Sequence, residues 1–251
     1  MCSVKNNDII NVETNSGGER VYKAAGFVFE AEGCGDMFLE RAEKYRIYGG
    51  VPDFTVGLSD EEAAECMRAS GLREAQARYL LSGTKFYFEL IKRGGMMLHS
   101  SAVALDGRAF LFSGDPGAGK STHAGLWLKR FPGAYILNDD KPALTRAAGG
   151  FLASGTPWSG KHDISRNESL PVKAVAFIEQ AGENSIERLS AKEAAVRLLP
   201  QTVRRISEER MRELLDTVES LVSTVPIYRL ACRPDEAAAL LAHDTMISGE
   251  V

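Results

Sequence analysis

The segment Gly114-Asp115-Pro116-Gly117-Ala118-Gly119-Lys120-Ser121 constrains the fold more than any other part of the 251-residue chain. An apolar run, residues 108–113, leads into it, and a helix-forming stretch, residues 121–131, leads out. Glycines at 114, 117 and 119 let the backbone turn tightly and approach an anion with no Cβ in the way. Successive backbone N–H groups then point inward as a nest, and the helix that follows adds the positive end of its dipole, about half a charge. In the pattern G-x-x-x-x-G-K-[ST] the lysine reaches the β- and γ-phosphates and the hydroxyl ligates Mg²⁺. Gly114, Asp115, Pro116, Gly117, Ala118, Gly119, Lys120, Ser121 and the adjoining Thr122 are therefore the expected nucleotide-binding set, with ATP and Mg²⁺ as ligands and Ser121 on the metal.

The rest of the chain reads as alternating strands and helices. Residues 1–57 hold short β-like pieces at 21–22, 26–30 and 45–47, which suggest a small β-rich N-terminal appendage to a main domain of residues 58–251. Ser59-Asp60-Glu61-Glu62 has the form of a capping box, opening a helix that stops near Gly71. A second helix spans 72–92 and ends at Gly94-Gly95. Apolar segments 96–105 and 108–113 flank Asp106-Gly107, a short hairpin signal. Strand-like runs follow at 134–137, 150–153, 172–179 and 227–230, with helices from Ser190, over 207–221 and from about Pro234. The class is α/β.

Composition narrows the partners. A net charge of -4 and a pI near 5.7 leave no basic footprint for nucleic acid. Cys2, Cys34, Cys66 and Cys232 are not at metal-ligand spacing and read as reduced thiols. Residues 1–11 are polar, without the apolar centre of a signal peptide, and the longest apolar runs are too short to cross a bilayer. The expectation is a soluble cytoplasmic protein with neither nucleic acid nor membrane as partner; homo-oligomerisation stays open.

Asp139 and Asp140 close the apolar run 134–137, about twenty residues after Lys120. In a parallel βαβ unit the C-terminal ends of both strands share one sheet edge, where ligands bind. One carboxylate can then hold Mg²⁺, directly or through water, and a second can accept a proton from an attacking hydroxyl. Asn138-Asp139-Asp140 could also be a plain turn before Pro142. His99 lies in the apolar segment before the hairpin, where a lone His is usually structural. Lys161, in Thr156-Pro157-Trp158-Ser159-Gly160-Lys161-His162, could bring a cation to a transferred phosphate or sit in a surface turn.

Together, residues 98–140 resemble the HPr kinase/phosphorylase family and its looser HPr kinase-like relatives, whose core is shared with phosphoenolpyruvate carboxykinase. Those proteins have a His on a strand, a short hairpin, a phosphate loop, and an Asp-Asp pair ending the next strand. The resemblance implies a P-loop core of that type. It also implies that Lys120 and Ser121 handle phosphates and Mg²⁺, that the Asp pair supplies a base and a metal contact, and that His99 lies in the active site. Two departures stand out: Thr122 occupies a position where the full-length kinases usually have Glu, and their later Arg-Gly signature is not evident in Gly155–Lys161.

The activity expected is an ATP- and Mg²⁺-dependent phosphotransferase acting on a hydroxyl acceptor, serine-like in a protein or peptide, or a small molecule. Asp140 is the preferred base, Asp139 and Ser121 position the metal, and Lys120 with Lys161 neutralises the transferring group. The alternative is a nucleotide-dependent regulatory ATPase or switch. It lacks support from either an Asn-Lys-x-Asp or a Leu-Ser-Gly-Gly-Gln motif.

Overall fold

The computed structural model of the protein describes residues 20–202 and 206–249. The polar stretch 1–11 and Cys2 lie outside the described residues. In chain order the strands are β1 (Val21–Ala24), β2 (Phe27–Glu32), β3 (Arg46–Ile47), β4 (Phe54–Gly57), β5 (Met96–Met97), β6 (Ser100–Leu105), β7 (Arg108–Ser113), β8 (Tyr135–Asn138), β9 (Ala143–Ala147), β10 (Gly150–Ser154), β11 (Ser169–Gln180), β12 (Ser185–Arg188) and β13 (Ile227–Cys232). The α-helices are α1 (Asp36–Ala42), α2 (Asp60–Ser70), α3 (Glu74–Lys92), α4 (Lys120–Arg130), α5 (Ala191–Leu198), α6 (Glu208–Thr224) and α7 (Glu236–Ser248).

Local sequence chemistry starts and stops these elements. The Ser59 and Ser190 capping boxes both close, each hydroxyl accepting from the N–H of a Glu three residues on while that Glu reaches back. Gly71 ends α2 in the left-handed region, at φ 70°. Asp106 and Gly107 both take positive φ, 50° and 70°, as the two-residue hairpin between β6 and β7 requires.

Two sheets result. Four strands run β3-β1-β2-β4; nine form the large sheet, β5-β9-β10-β11-β7-β6-β8, with β13 beside β11 and β12 beside β13. Alternation along the central strands builds two cores. Ala102, Leu111, Val175 and Ile227 face one side, where they meet α3, α5, α6 and the small sheet; Val103, Phe110, Ala176 and Tyr228 face the other, under α4 and α7. The class is mixed α/β.

The structure corrects three sequence expectations. Residues 96–105 are not one strand. The chain changes partner at Leu98-His99, β5 pairing with β9 and β6 with β7 and β8, while Leu98 N–H bonds the Pro142 carbonyl and His99 N–H the Gln201 carbonyl. His99 therefore sits in the break and not in a strand. Second, β7 and β8 are not neighbours: antiparallel β6 lies between them. Being antiparallel to the same strand, they still run parallel to each other, so their C-terminal ends keep one edge. Third, α1, β4, β9 and β12 were not expected; these short pieces carry too little periodicity to be read without their partners.

Candidate functional site

The site is the edge at which β7 and β8 end and β6 begins. Ser113, the last residue of β7, pairs with Ser100, and its hydroxyl donates to the His99 carbonyl at 2.9 Å. Asn138, the last of β8, pairs with Ala102. The loop 114–119, the Asp pair and His99 are thus brought together by three adjacent strands.

The loop has the character its residues imply. Gly114, Gly117 and Gly119 take φ of 143°, 83° and 106°. A Cβ at Gly114 would meet the Ile178 carbonyl oxygen at 2.8 Å, whereas at Gly117 and Gly119 it would enter open space. The first glycine is needed for close packing; the other two leave room above the nest, so the loop fits an anion. Helix α4 opens at Gly119 with no side-chain cap and, unlike the other described α-helices, with no acidic residue in its first turn. Its N-terminal N–H groups and dipole are left for an external anion.

Lys120 bends back over the loop, donating to the carbonyls of Gly114 at 2.8 Å and Asp115 at 3.2 Å. Burial lowers the pKa of its ammonium, opposed by the charges of Asp140 and Asp115. Ser121 and Thr122 are exposed in the first turn of α4.

The two aspartates sit in different surroundings. Asn138 Oδ1 accepts from the N–H groups of Asp140 and Lys141 at 3.0 and 2.7 Å, so the segment is a side-chain-locked turn. Asp140 faces His99, Oδ1 to Nε2 at 3.3 Å. Asp139 accepts from the Gly160 N–H at 2.6 Å. Burial raises the Asp139 pKa and neighbouring Asp140 adds to it, against the Gly160 hydrogen bond. His99 is held neutral more firmly than usual, its pKa lowered by burial first and the Lys120 charge second.

Lys161 is exposed on the loop that touches Asp139, and the group brought to that carboxylate is the Gly160 amide. Trp158 is fully buried, its Nε1 donating to Ser82 Oγ at 3.0 Å. Sequence reasoning missed two contributors. Gln201, just past α5, accepts from the His99 N–H through its carbonyl at 2.9 Å and donates from Nε2 to Asp115 Oδ1 at 3.4 Å. Tyr79 OH accepts from the Ser159 N–H and from Arg41, both at 2.9 Å, fixing the loop that holds Asp139. Only the Pro-Gln step after a helix end hinted at the first; nothing in the sequence pointed to the second. Among the described residues no group of three or more His, Cys, Asp or Glu gathers to hold a metal ion. A Mg²⁺ site that takes most ligands from phosphate and water does not need one.

Comparison with known proteins gives a family match and similarity to a number of solved structures. A family profile described as SynChlorMet cassette protein ScmC matches residues 80–235, more than half the chain. No curated protein matches it. The chain is similar to the HPr(Ser) kinase/phosphatase from Coxiella burnetii at 12% identity, over 61% of this chain and 89% of that one, with a TM-score of 0.36.

Proposed function

The chain belongs to the family of SynChlorMet cassette protein ScmC, and we propose that it is a cytoplasmic, HPr kinase-like phosphotransferase that moves the γ-phosphoryl group of ATP to a hydroxyl acceptor. One observation carries the reading: the glycine loop with Lys120 opens at the same sheet edge as the Asp140–His99 pair. The motif Gly114–Ser121 and the resemblance over residues 98–140 support it further.

In this reading Gly117, Gly119 and the first turn of α4 bind the β-phosphate, and Lys120 exchanges its loop carbonyls for phosphate oxygens. Ser121 and Asp139 would hold Mg²⁺, which when bound neutralises charge on the phosphates. Asp140 accepts the proton of the acceptor hydroxyl while that oxygen bonds to the γ-phosphorus and the bond to the β-bridging oxygen breaks, releasing ADP. His99, neutral, donates to Asp140 and keeps its carboxylate turned toward the acceptor.

A cavity of about 480 Å³ opens beside Asp140, lined among others by Leu80, Tyr87, Met97, His99 and Lys141. It is the place for the acceptor, which its mostly apolar wall suits to a hydroxyl on a partly apolar carrier. Among the described residues no helix is long and apolar enough to cross a membrane. The test is ADP release by wild type and Asp140→Asn over a panel of serine peptides and small alcohols. We expect turnover to fall by about 10²–10⁴ with nucleotide affinity retained; unchanged turnover would remove Asp140 as the base.

A further inference from the structure

The cavity beside Asp140 holds a charge that the transfer step does not use. Among the described residues that line it, only Asp140 and Lys141 are ionised, His99 being neutral; the rest of the wall is apolar or uncharged. The backbone of Lys141 is fixed on both sides. Its N–H donates to Asn138 Oδ1 at 2.7 Å, and its carbonyl accepts from Thr156 Oγ1 at 2.8 Å. The side chain is 38% exposed, and its ammonium stands 3.9 Å from Asp140 Oδ2, the outer limit of an ion pair. His99 Nε2 lies closer to the same carboxylate, 3.3 Å from Oδ1. Among the described residues Lys141 has no other anionic partner. The ammonium is therefore presented to the cavity and only weakly engaged.

Proton transfer makes this pairing worse. An ammonium beside a carboxylate favours its ionised form, so Lys141 on Asp140 opposes uptake of the acceptor's proton. Once Asp140 is protonated, Lys141 faces a mostly apolar wall without a counter-charge, which is unfavourable. A negative group on the acceptor removes both difficulties. It draws the ammonium away from Asp140 and remains its partner when Asp140 becomes neutral. A single lysine, with no arginine among the described lining residues, matches the one charge of a carboxylate better than the nearly two of a phosphate.

We infer that the acceptor carries a carboxylate within a few bonds of the hydroxyl that is phosphorylated, and that Lys141 is the residue that reads it. The inference rests on taking this cavity as the acceptor site and Asp140 as the base. Because Lys141 directly follows Asp140, the two groups that meet the acceptor are held at a fixed spacing by one locked turn. The carboxylate belongs either to the carbon skeleton that bears the hydroxyl or to an acidic residue beside a serine in a peptide, and the apolar wall takes the remainder.

The experiment gives the full chain two matched pairs of acceptors: N-octanoyl-serine against its amide, and acetyl-Leu-Ser-Asp-amide against acetyl-Leu-Ser-Asn-amide. Release of ADP from Mg²⁺·ATP gives kcat/KM, and calorimetry gives the affinity of each acceptor. We expect wild type to favour the carboxylate member of at least one pair about tenfold or more in both measurements. The pair that shows it tells a carboxylate on the hydroxyl's own skeleton from an acidic neighbour. Lys141→Met should bring the ratio close to one, and Lys141→Arg, which keeps the charge, should retain it; Lys141→Gln serves if Lys141→Met does not fold. ADP release with no preference in either pair overturns the carboxylate site and leaves the phosphotransfer reading standing. A preference that survives in Lys141→Met overturns Lys141 as its reader. Preferential binding, lost in Lys141→Met, without ADP release from any of the four keeps the carboxylate site and overturns the phosphotransfer reading. Neither preference nor release overturns both.

Discussion

Glycines at the site serve opposite ends. Gly117 and Gly119 face empty space and are glycine for the sake of backbone angle, both at positive φ. Gly83 and Gly155 are glycine because something already fills the space. A Cβ at Gly83 would stand 2.8 Å from the Trp158 ring, and one at Gly155 would strike the Arg166 carbonyl oxygen. Trp158 is fully buried and packed against Phe86 with ring centroids 4.6 Å apart, so it cannot yield. Gly83→Ala is expected to cost about 1–3 kcal/mol by urea unfolding, where an exposed mid-helix Gly→Ala would be neutral or stabilising. The first pair could be read from the sequence, because a motif states why those glycines are there. The second could not, since their reason is a neighbour from a distant part of the chain.

At the scale of elements, α4 combines two environments. Its N-terminus faces the loop, while one turn on His123 is buried against Phe112 and Trp127. Burial pushes the His123 pKa down from 6.5 to about 4. The unfolded chain therefore binds more protons than the folded one between those values. Stability is full above about pH 6.5 and falls as pH drops toward 4, by at most about 1.4 kcal/mol per unit and about 3 kcal/mol in all. Urea unfolding of wild type and His123→Gln at pH 7, 6 and 5 checks this; the variant should show the shallower fall. The loop after β10 makes a second case. Tyr79 on α3 holds Ser159, and the next residue's amide holds Asp139, so under the proposed function Tyr79 acts as a positioning residue. Tyr79→Phe should lower turnover several-fold and move the acid limb of its pH profile upward, because loosening the Gly160 hydrogen bond removes what opposes the raised Asp139 pKa. A drop in turnover with an unmoved profile would mean that Tyr79 acts elsewhere.

Across the whole molecule, the small N-terminal sheet and the large sheet share one core. Phe29 and Phe38 from the first segment stack near Trp158, with Phe86 of α3 between the sheets. Arg41 reaches from α1 to the Ser159 carbonyl at 2.9 Å, so the N-terminal part also braces the loop behind Asp139. The chain has two tryptophans, Trp158 in this core and Trp127 in the core on the opposite face of the large sheet. Fluorescence of Trp127→Phe and Trp158→Phe should report coincident unfolding midpoints once each variant's own change in stability, measured by circular dichroism, is allowed for. Separate midpoints would show that the N-terminal part folds on its own.

By itself the sequence determined the glycine-rich loop between strand and helix, the helix caps, the two-residue hairpin and the α/β class. Each depends on residues within one turn of chain, where backbone sterics and a single hydrogen bond decide the outcome. Tertiary structure alone decided that His99 lies in a break between strands and that β6 separates β7 from β8. It also brought Gln201 to His99, Gly160 to Asp139 and Tyr79 to Ser159 in the loop behind Asp139. Those contacts join residues 21 to 102 positions apart, and no local pattern encodes which distant backbone groups a buried carboxylate or imidazole will meet.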